Sequence, residues 1–467
     1  MKKYSIIAAL VIFAACGRGP DQAVITGQVN NPQGEKVEIF YVTNLANNDT
    51  EMVEVELDVN NRFEAVIPLI DPRFVNLRTS QRLIPLFVEP GADIQVVLDG
   101  SNRESIPVVS GEKSLESSLL VAYEAEVGSQ YSYVMTLREA GNHTPEEFVE
   151  HAWMIYEEKI GYLESDHRYN ELAQPFIDGM HTNILYDTYG LLLEYPAAAR
   201  RFGQLEALEL PANYYDFIED AVVSNDDLVS SRPYFSFMVN YLRHYISENR
   251  VEGESRPMTR LQFDHARELF SGKIRDMIMA QQVNSGLNFG NFQDGLDMYH
   301  ELVALSPTGK VLEMIEKEYE TVMALAPGSP APGFTLTDIN GAEVSLDDFL
   351  GKVVYLDFWA SWCGPCMQQV PYARELKKRM ADQEDFVFLY ISVDTDEQAW
   401  RNKVAEENIQ GVHLNVSGFA QDVPRSYNLK GVPTFYLIGR DGLIFDNRPP
   451  RPSHDNVDEV LLSALAQ

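Results

Sequence analysis

The chain has 467 residues, a formal net charge of −33 at pH 7 and only three cysteines. This length is too great for a single hydrophobic core, so we expect two or three domains. A surface this acidic repels phosphate backbones and anionic headgroups, which excludes nucleic acid as an expected partner.

Residues 1–15 are predicted to form an export signal. A positive start at residues 1–3 precedes an apolar run that is too short to span a bilayer. Small residues then lead into Cys16, a pattern that resembles the signal of bacterial lipoproteins, although Phe13 stands where such signals usually carry leucine. The resemblance implies that Cys16 is lipidated, that residues 16–22 form a tether, and that two or more acyl chains anchor the protein to a membrane. An ordinary secretory signal is the alternative, and it also exports the protein.

Residues 23–111 are predicted to form a β-rich domain. Apolar and polar residues alternate in segments such as 36–42 and 62–67, and Pro, Gly and Asn residues separate these segments. Short strands of this kind predict a small antiparallel sandwich or barrel. We find no catalytic constellation in this part of the sequence.

Residues 112–325 are predicted to form an all-α region. Thr144 followed by Pro145 and two acidic residues has the pattern of a capped helix start. Further helices are predicted over residues 171–194, 212–221, 233–248, 258–283 and 308–325. The many Tyr and Phe residues at helical spacing are interpreted as core packing rather than as a ligand groove.

A Pro- and Gly-rich linker is predicted at residues 326–333, and it marks the clearest domain boundary of the chain. Residues 334–467 then alternate between strand and helix patterns. An apolar strand at residues 353–359 carries one carboxylate and is followed, after a short loop, by a helical pattern. This order predicts an α/β domain at the C-terminus.

Cys363 and Cys366 lie in the sequence Trp-Cys-Gly-Pro-Cys, between that strand and that helix. Unpaired N–H groups at a helix N-terminus favour a thiolate, so the two cysteines are predicted to form a redox-active disulfide. Half of a zinc site is the alternative. A structural zinc site needs four ligands, and the remaining cysteine is Cys16, so no metal is predicted.

Several other motifs accompany the two cysteines. They are Ala331-Pro332-Gly333-Phe334, Asp357-Phe358-Trp359, Pro371 and Gly431-Val432-Pro433-Thr434. With these motifs, residues 328–467, about 30% of the chain, resemble the thioredoxin superfamily and, within it, the extracytoplasmic TlpA/ResA-like thiol–disulfide oxidoreductases. The resemblance implies a C-terminal thioredoxin fold and a disulfide chemistry that needs no bound cofactor. Residues 23–111 also resemble a domain of unknown function that is often joined to such domains in lipoproteins.

The position at a helix start and the family resemblance together assign roles to the two cysteines, the residues between them and Asp357. Cys363 is the expected nucleophile, and Cys366, expected to be the more shielded of the two, resolves the mixed disulfide. Gly364 and Pro365 allow a tight turn and fix φ at the helix start. Asp357 matches the buried acid that takes the proton from the second cysteine of thioredoxins, and burial should raise its pKa. A structural Asp held by hydrogen bonds is the alternative.

Pro433 matches the cis-proline of the family. Because cis X–Pro bonds are uncommon, this assignment rests on the resemblance. It implies that the Val432 backbone is free to pair with an extended substrate segment and that metal is kept away from the thiols. Trp359 and Trp362 are expected to shape the surface around the sulfurs. The expected substrate contacts are Trp362, Gly364, Pro365 and Val432.

The preferred interpretation is a lipid-anchored enzyme on the periplasmic side of a bacterial membrane. It would reduce disulfides of exported proteins and receive electrons from a membrane thiol donor. The Gly-Pro dipeptide between the cysteines is more typical of reducing members, and a thiol oxidase or isomerase is the alternative. A third interpretation is a binding lipoprotein in which residues 23–325 are the main functional module. Whichever interpretation holds, we expect residues 23–325 to recognise the protein partner or to mediate dimerisation.

Overall fold

The computed structural model describes residues 4–6, 21–203, 208–419 and 421–467. The chain forms two compact units. The C-terminal unit comprises residues 287–292 and 312–467, and the N-terminal unit comprises the other described residues up to 311. Cys16 and nearly all of the predicted signal peptide lie outside the described residues, so the export signal and the lipidation site remain predictions.

The β-rich part of the N-terminal unit consists of two sheets. Its strands are β1 (Tyr4–Ile6), β2 (Gln22–Asn30), β3 (Lys36–Asn44), β4 (Asp49–Glu56), β5 (Arg62–Pro68), β6 (Arg73–Arg78), β7 (Leu83–Val88), β8 (Asp93–Asp99) and β9 (Val108–Glu112). The strand orders are β1-β4-β3-β6-β7 and β5-β2-β8-β9. Phe63, Ala65 and Ile67 of β5 are buried while the residues between them are exposed, as the alternating pattern predicts. The predicted β-rich region is confirmed.

Strand direction differs in part from the antiparallel arrangement that we expected. Most pairs are antiparallel, but β2 pairs in parallel with β8, and β1 pairs in parallel with β4. The chain between β2 and β8 contains β5 of the same sheet and the strands β3, β4, β6 and β7 of the other sheet. A connection of that length permits parallel pairing, whereas a short hairpin does not.

The rest of the N-terminal unit is helical. The helices are α1 (Leu115–Tyr123), α2 (Tyr133–Glu139), α3 (Pro145–Ser165), α4 (Gln174–Gly203), α5 (Ile218–Ala221), α6 (Arg232–Asn249), α7 (Met258–Leu269), α8 (Gly272–Phe289), α9 (Phe292–Ala304) and α10 (Gly309–Met323). Of these, α8, α9 and α10 include residues of the C-terminal unit. Thr144 and Glu147 form the predicted cap of α3, each side chain accepting from the backbone N–H of the other. Tyr195 and Tyr234 are completely buried, which confirms that these aromatic residues fill the core.

Two helix predictions were wrong in their extent. The helix predicted over residues 258–283 is divided into α7 and α8, because Gly272 has a φ of +62° and begins the second helix after a turn. Within 212–221 only α5 is α-helical. Tyr214 instead donates a hydrogen bond from its hydroxyl to the Leu192 carbonyl at 2.7 Å, so a tertiary contact overrides the local helical pattern. Helices α1, α2 and α9 were not predicted.

The C-terminal unit contains a five-stranded mixed sheet. The secondary-structure elements of this unit are, beyond α10, β10 (Thr335–Thr337), β11 (Glu343–Ser345), β12 (Val353–Trp359), α11 (Gly364–Arg379), β13 (Phe386–Ser392), α12 (Glu397–Glu406), β14 (Val412–Asn415), α13 (Asp422–Ser426), β15 (Thr434–Ile438), β16 (Ile444–Asp446) and α14 (Val457–Leu465). The sheet order is β14-β13-β12-β15-β16, and β10 and β11 form a separate hairpin. β12 runs parallel to β13 and antiparallel to β15, which is the thioredoxin-like arrangement that the resemblance implied.

The central strand β12 is buried along nearly its whole length, with Asp357 the one partly exposed residue. A strand that is covered on both faces has a nearly continuous apolar sequence, and β12 has such a sequence. Its C-terminal end leads directly to the loop that carries Cys363. Among the described residues, no helix combines the length and the apolar character needed to cross a membrane.

The predicted linker is attached to the C-terminal unit. The Gly328 N–H donates to the Ile444 carbonyl at 2.7 Å, and the Ala331 N–H donates to the Gly442 carbonyl at 3.0 Å. Pro330 forms a bridge with Leu443. These residues therefore extend the edge of the sheet beside β16 instead of forming a free connection.

Candidate active site

Cys363 is the N-cap residue of α11, at the end of the loop that leaves β12. Its Sγ accepts a hydrogen bond from the Cys366 N–H at 3.1 Å. Pro365 lies in the first turn, and Lys377, Lys378 and Arg379 lie in the last. The N–H groups and the positive end of the helix dipole are thus directed at the first sulfur, which stabilises a thiolate there.

Cys363 and Cys366 form a disulfide in this structure, with a Cα–Cα separation of 5.2 Å. Each cysteine is 4% exposed. We expected Cys363 to be the more accessible of the two. In the disulfide form their burial is equal, because the bond holds Cys363 Sγ against the first turn of α11.

The two tryptophans near the disulfide have different environments. Trp362 is 63% exposed, and its ring centroid lies 6.4 Å from that of Phe419, so the two form an apolar surface beside Cys363. A large aromatic residue with this exposure is suited to contact a partner. Trp359 is only 2% exposed and belongs to the hydrophobic core, so the expectation that it shapes the surface was wrong. It is the last residue of the buried strand β12, and that position directs it inward.

Asp357 lies near the middle of β12, opposite Tyr390 of β13 and Phe435 of β15. Its Oδ1 atom is buried and has no hydrogen-bond partner among the described residues. Removal from water raises the pKa of Asp357 to about 8, and the positive charge of Arg451 opposes this rise. A purely structural role would be expected to show hydrogen bonds to this carboxyl, and no described residue bonds to Oδ1. A carboxyl with this pKa can take up and release a proton near neutral pH.

The Val432–Pro433 peptide bond is cis, the isomer that the resemblance implied. Strand β15 begins at the next residue, and Thr434 lies opposite Phe358 at the end of β12. This register places the Pro433 loop at the same end of the sheet as the Cys363 loop. The Val432 N–H donates no hydrogen bond within the described part of the chain, so it is available to an extended segment of a partner.

Asp394 is a residue of this site that the sequence analysis missed. It follows β13 and is 2% exposed. Its carboxylate accepts hydrogen bonds from the Ser361 N–H at 2.8 Å, the Ser361 Oγ at 2.7 Å and the Ser392 Oγ at 2.7 Å. Because Ser361 stands two residues before Cys363, Asp394 holds the loop that delivers the nucleophile. The sequence signal that could have identified Asp394 is an acidic residue two positions after a buried strand, at the edge of the sheet where β12 also ends.

The described residues contain no group of three or more His, Cys, Asp or Glu side chains placed to hold a metal ion.

Known proteins resemble the C-terminal part of the chain. The Redoxin family matches residues 326–461. The thiol-disulfide oxidoreductase ResA of Geobacillus kaustophilus is 37% identical over 120 residues, which are 26% of this chain and 67% of that protein. The solved thioredoxin domain of a thiol-disulfide oxidoreductase from Bacteroides vulgatus is 30% identical and covers 30% of this chain and 97% of that one, with a TM-score of 0.28.

A second ResA protein is matched over a larger share of its length. This thiol-disulfide oxidoreductase, from Bacillus thuringiensis subsp. konkukian, is 31% identical over 137 residues, or 29% of this chain and 76% of that protein. The match extends over most of the relative, and the two cysteines of this chain form the disulfide that such an activity requires. The chain therefore belongs to the ResA-like family of thiol–disulfide oxidoreductases, through its C-terminal thioredoxin-like domain.

Proposed function

We propose that this thiol–disulfide oxidoreductase is exported, anchored by a lipid at Cys16, and reduces disulfides in other exported proteins. The observation that carries the disulfide chemistry is the Cys363–Cys366 pair at the N-terminus of α11 with a high-pKa carboxyl, Asp357, on the strand before it. The reductive direction rests on the Gly-Pro dipeptide between the cysteines, which is more typical of reducing members. The export and the anchor rest on the sequence of residues 1–16. A membrane thiol donor would return electrons to the pair.

The proposed reaction starts from the dithiol. The Cys363 thiolate attacks one sulfur of the substrate disulfide; a Cys363–substrate bond forms, the substrate S–S bond breaks, and one substrate thiolate leaves and takes a proton. The Cys366 thiol then gives its proton to Asp357 and attacks Cys363 Sγ. The Cys363–Cys366 bond forms, the second substrate thiolate leaves, and two electrons have passed to the substrate.

Substrate binding involves the surface around the disulfide. The exposed ring of Trp362 provides apolar contact area, and the Val432 backbone can pair with an extended segment of the substrate. Gly364 and Pro365 lie in the turn between the cysteines and complete the contact surface. A main-chain contact of this kind recognises the extended shape of a substrate segment more than its side chains. This suits an enzyme that acts on several protein substrates.

The first prediction concerns the direction of electron flow. For the soluble mature chain, we expect a reduction potential of Cys363/Cys366 near or below about −250 mV, in the range of thioredoxin. The potential is measured by equilibration in thiol buffers with tryptophan fluorescence as the readout. A potential above about −180 mV contradicts the reductase and supports an oxidase or isomerase.

The second prediction concerns the anchor. In the full chain expressed in a bacterium, Cys16→Ala should abolish incorporation of labelled fatty acid and move the protein from the membrane fraction to the soluble fraction, because acyl chains supply the membrane affinity. The double variant Cys363→Ser/Cys366→Ser retains Cys16 and is the matched control. Equal labelling of Cys16→Ala and the control rules out the lipid anchor at this position.

The third prediction uses the raised pKa of Asp357. The unfolded chain loses this proton near the ordinary value of 3.8 and the folded chain near 8, so the stability contributed by the protonated carboxyl is lost as the pH rises between these values. Asp357→Asn cannot ionise. Its free energy of unfolding should therefore rise relative to that of the wild type across this window and level off above about pH 8.

Urea denaturation of the oxidised proteins at several pH values measures this difference, with the exposed Asp382→Asn as the control. The same variant tests the catalytic role, because turnover of Asp357→Asn at pH 7 should be at least about tenfold slower than that of the wild type. Parallel stability curves for wild type and Asp357→Asn would contradict the pKa, and unchanged turnover would contradict the proton-accepting role.

The fourth prediction concerns the Cys363 loop. Asp394→Asn keeps the size of the side chain but removes the negative charge of the carboxylate that accepts hydrogen bonds from Ser361. The free energy of unfolding should therefore fall by about 2 kcal/mol. Hydrogen exchange at the Ser361 amide should become faster, and kcat/KM should fall several-fold because the nucleophile is less well positioned. Ser361→Ala keeps the backbone donor and should have a smaller effect. An unchanged Ser361 exchange rate in Asp394→Asn excludes this role.

A further inference from the structure

Glu318 is a buried acidic residue of α10, and it lies before the residues that match the Redoxin family. It is 2% exposed. A carboxylate that is removed from water to this extent is costly unless donors surround it. Its neighbours within the C-terminal unit therefore show what the charge is used for.

Three side-chain nitrogens converge on one oxygen, Glu318 Oε1. The Asn288 Nδ2 donates at 3.0 Å, the Asn428 Nδ2 lies at 3.4 Å, and the Lys430 Nζ lies at 3.3 Å. The Asn428 Nδ2 also donates to the Asn288 Oδ1 at 3.2 Å. The Lys430 side chain is 17% exposed, so this ion pair is shielded from solvent screening much more than a surface pair.

Two of these partners belong to the segment that leads to the cis-proline. Asn428 has a φ of +46° and directly follows Tyr427, whose buried ring packs at a centroid distance of 5.2 Å from Phe358 of β12. Lys430 stands three residues before Pro433. The Gly431 carbonyl accepts a hydrogen bond from the Thr434 Oγ1 at 2.8 Å, so the chain between Lys430 and β15 is short and internally braced.

We propose that Glu318 is a positioning residue for substrate binding: it holds the segment 428–434 so that the Val432 backbone is presented to an extended disulfide-containing polypeptide. This inference rests on the proposed function. Glu318 acts through Asn428 and Lys430 and takes no part in the sulfur chemistry. The helix that precedes the thioredoxin-like fold thereby contributes to the specificity of its active site.

The charge of Glu318 is the part of the side chain that matters for this role. A neutral acceptor could accept hydrogen bonds from Asn288, Asn428 and Lys430, but it could not form an ion pair with the Lys430 ammonium. Loss of the carboxylate leaves Lys430 without this partner near the cis-proline, and the loop gains freedom. A polypeptide that must pair along Val432 then binds more weakly, whereas a small disulfide that reacts only at the sulfur does not depend on this pairing.

The experiment compares Glu318→Gln with Glu316→Gln in the full soluble chain. Glu316 lies on the same helix and is exposed, so it is a matched control. In Glu318→Gln, hydrogen exchange at the Asn428 and Leu429 amides, which donate to the Arg425 and Pro424 carbonyls, should be about tenfold faster than in the control. Unchanged exchange at both amides overturns the proposal.

Kinetics with two substrates separates positioning from a merely structural effect. For a peptide with an internal disulfide, the KM of Glu318→Gln should rise about fivefold with little change in kcat, while the rate with 5,5′-dithiobis(2-nitrobenzoate) should change less than about twofold. The double variant Glu318→Gln/Lys430→Met also removes the ammonium that pairs with Glu318 in the wild type, and it should recover part of the KM. An unchanged peptide KM, or equal losses with both disulfides, overturns the positioning role.

Failure of the proposed function has a different signature. If the reduced wild-type chain does not reduce the peptide disulfide, the reductase proposal fails. The exchange rates at Asn428 and Leu429 still decide whether Glu318 holds the loop.

Discussion

The active site depends on one constraint, the register of the buried strand β12 in the centre of the sheet. Asp357 lies within this strand, and the Cys363 loop begins where the strand ends. Pairing with β13 brings Asp394 beside that loop, and pairing with β15 brings the cis-proline segment to the same edge. A shift of one residue in this register would turn Asp357 to the opposite face of the sheet, so strand pairing and disulfide chemistry are determined together.

Three acidic residues of the C-terminal unit illustrate how the surroundings decide what a carboxyl does. Asp394 and Glu318 each accept hydrogen bonds from several donors, which stabilises the charge and makes these residues suitable for holding loops. Asp357 Oδ1 has no such partner among the described residues. Burial without compensation raises its pKa, and the carboxyl becomes able to exchange a proton near neutral pH.

Much of the architecture could be predicted from residue patterns, and the exceptions have physical causes. Periodicity identified the β-rich part, the helical part and the mixed α/β part, because burial on one face imposes a period on the sequence. It failed at residues 212–221, where Tyr214 bonds to the Leu192 carbonyl, and at Gly272, where a left-handed turn divides two helices. Composition predicted a linker at 326–333, but it could not show that the backbone of this segment bonds to the strand edge beside Ile444.

The sequence by itself determined the reactive chemistry: two cysteines one helical turn apart, placed between an apolar strand and a helix start, with Asp357 in that strand. These features are local, and each depends on residues a few positions apart. Only the tertiary structure decided which groups hold that chemistry in place. Ser361 and Asp394 are 33 residues apart, and Asn428 and Glu318 are 110 apart. Such pairs are set by strand register and helix packing, and the absence of a partner at Asp357 Oδ1 is visible only once the described neighbours are in place.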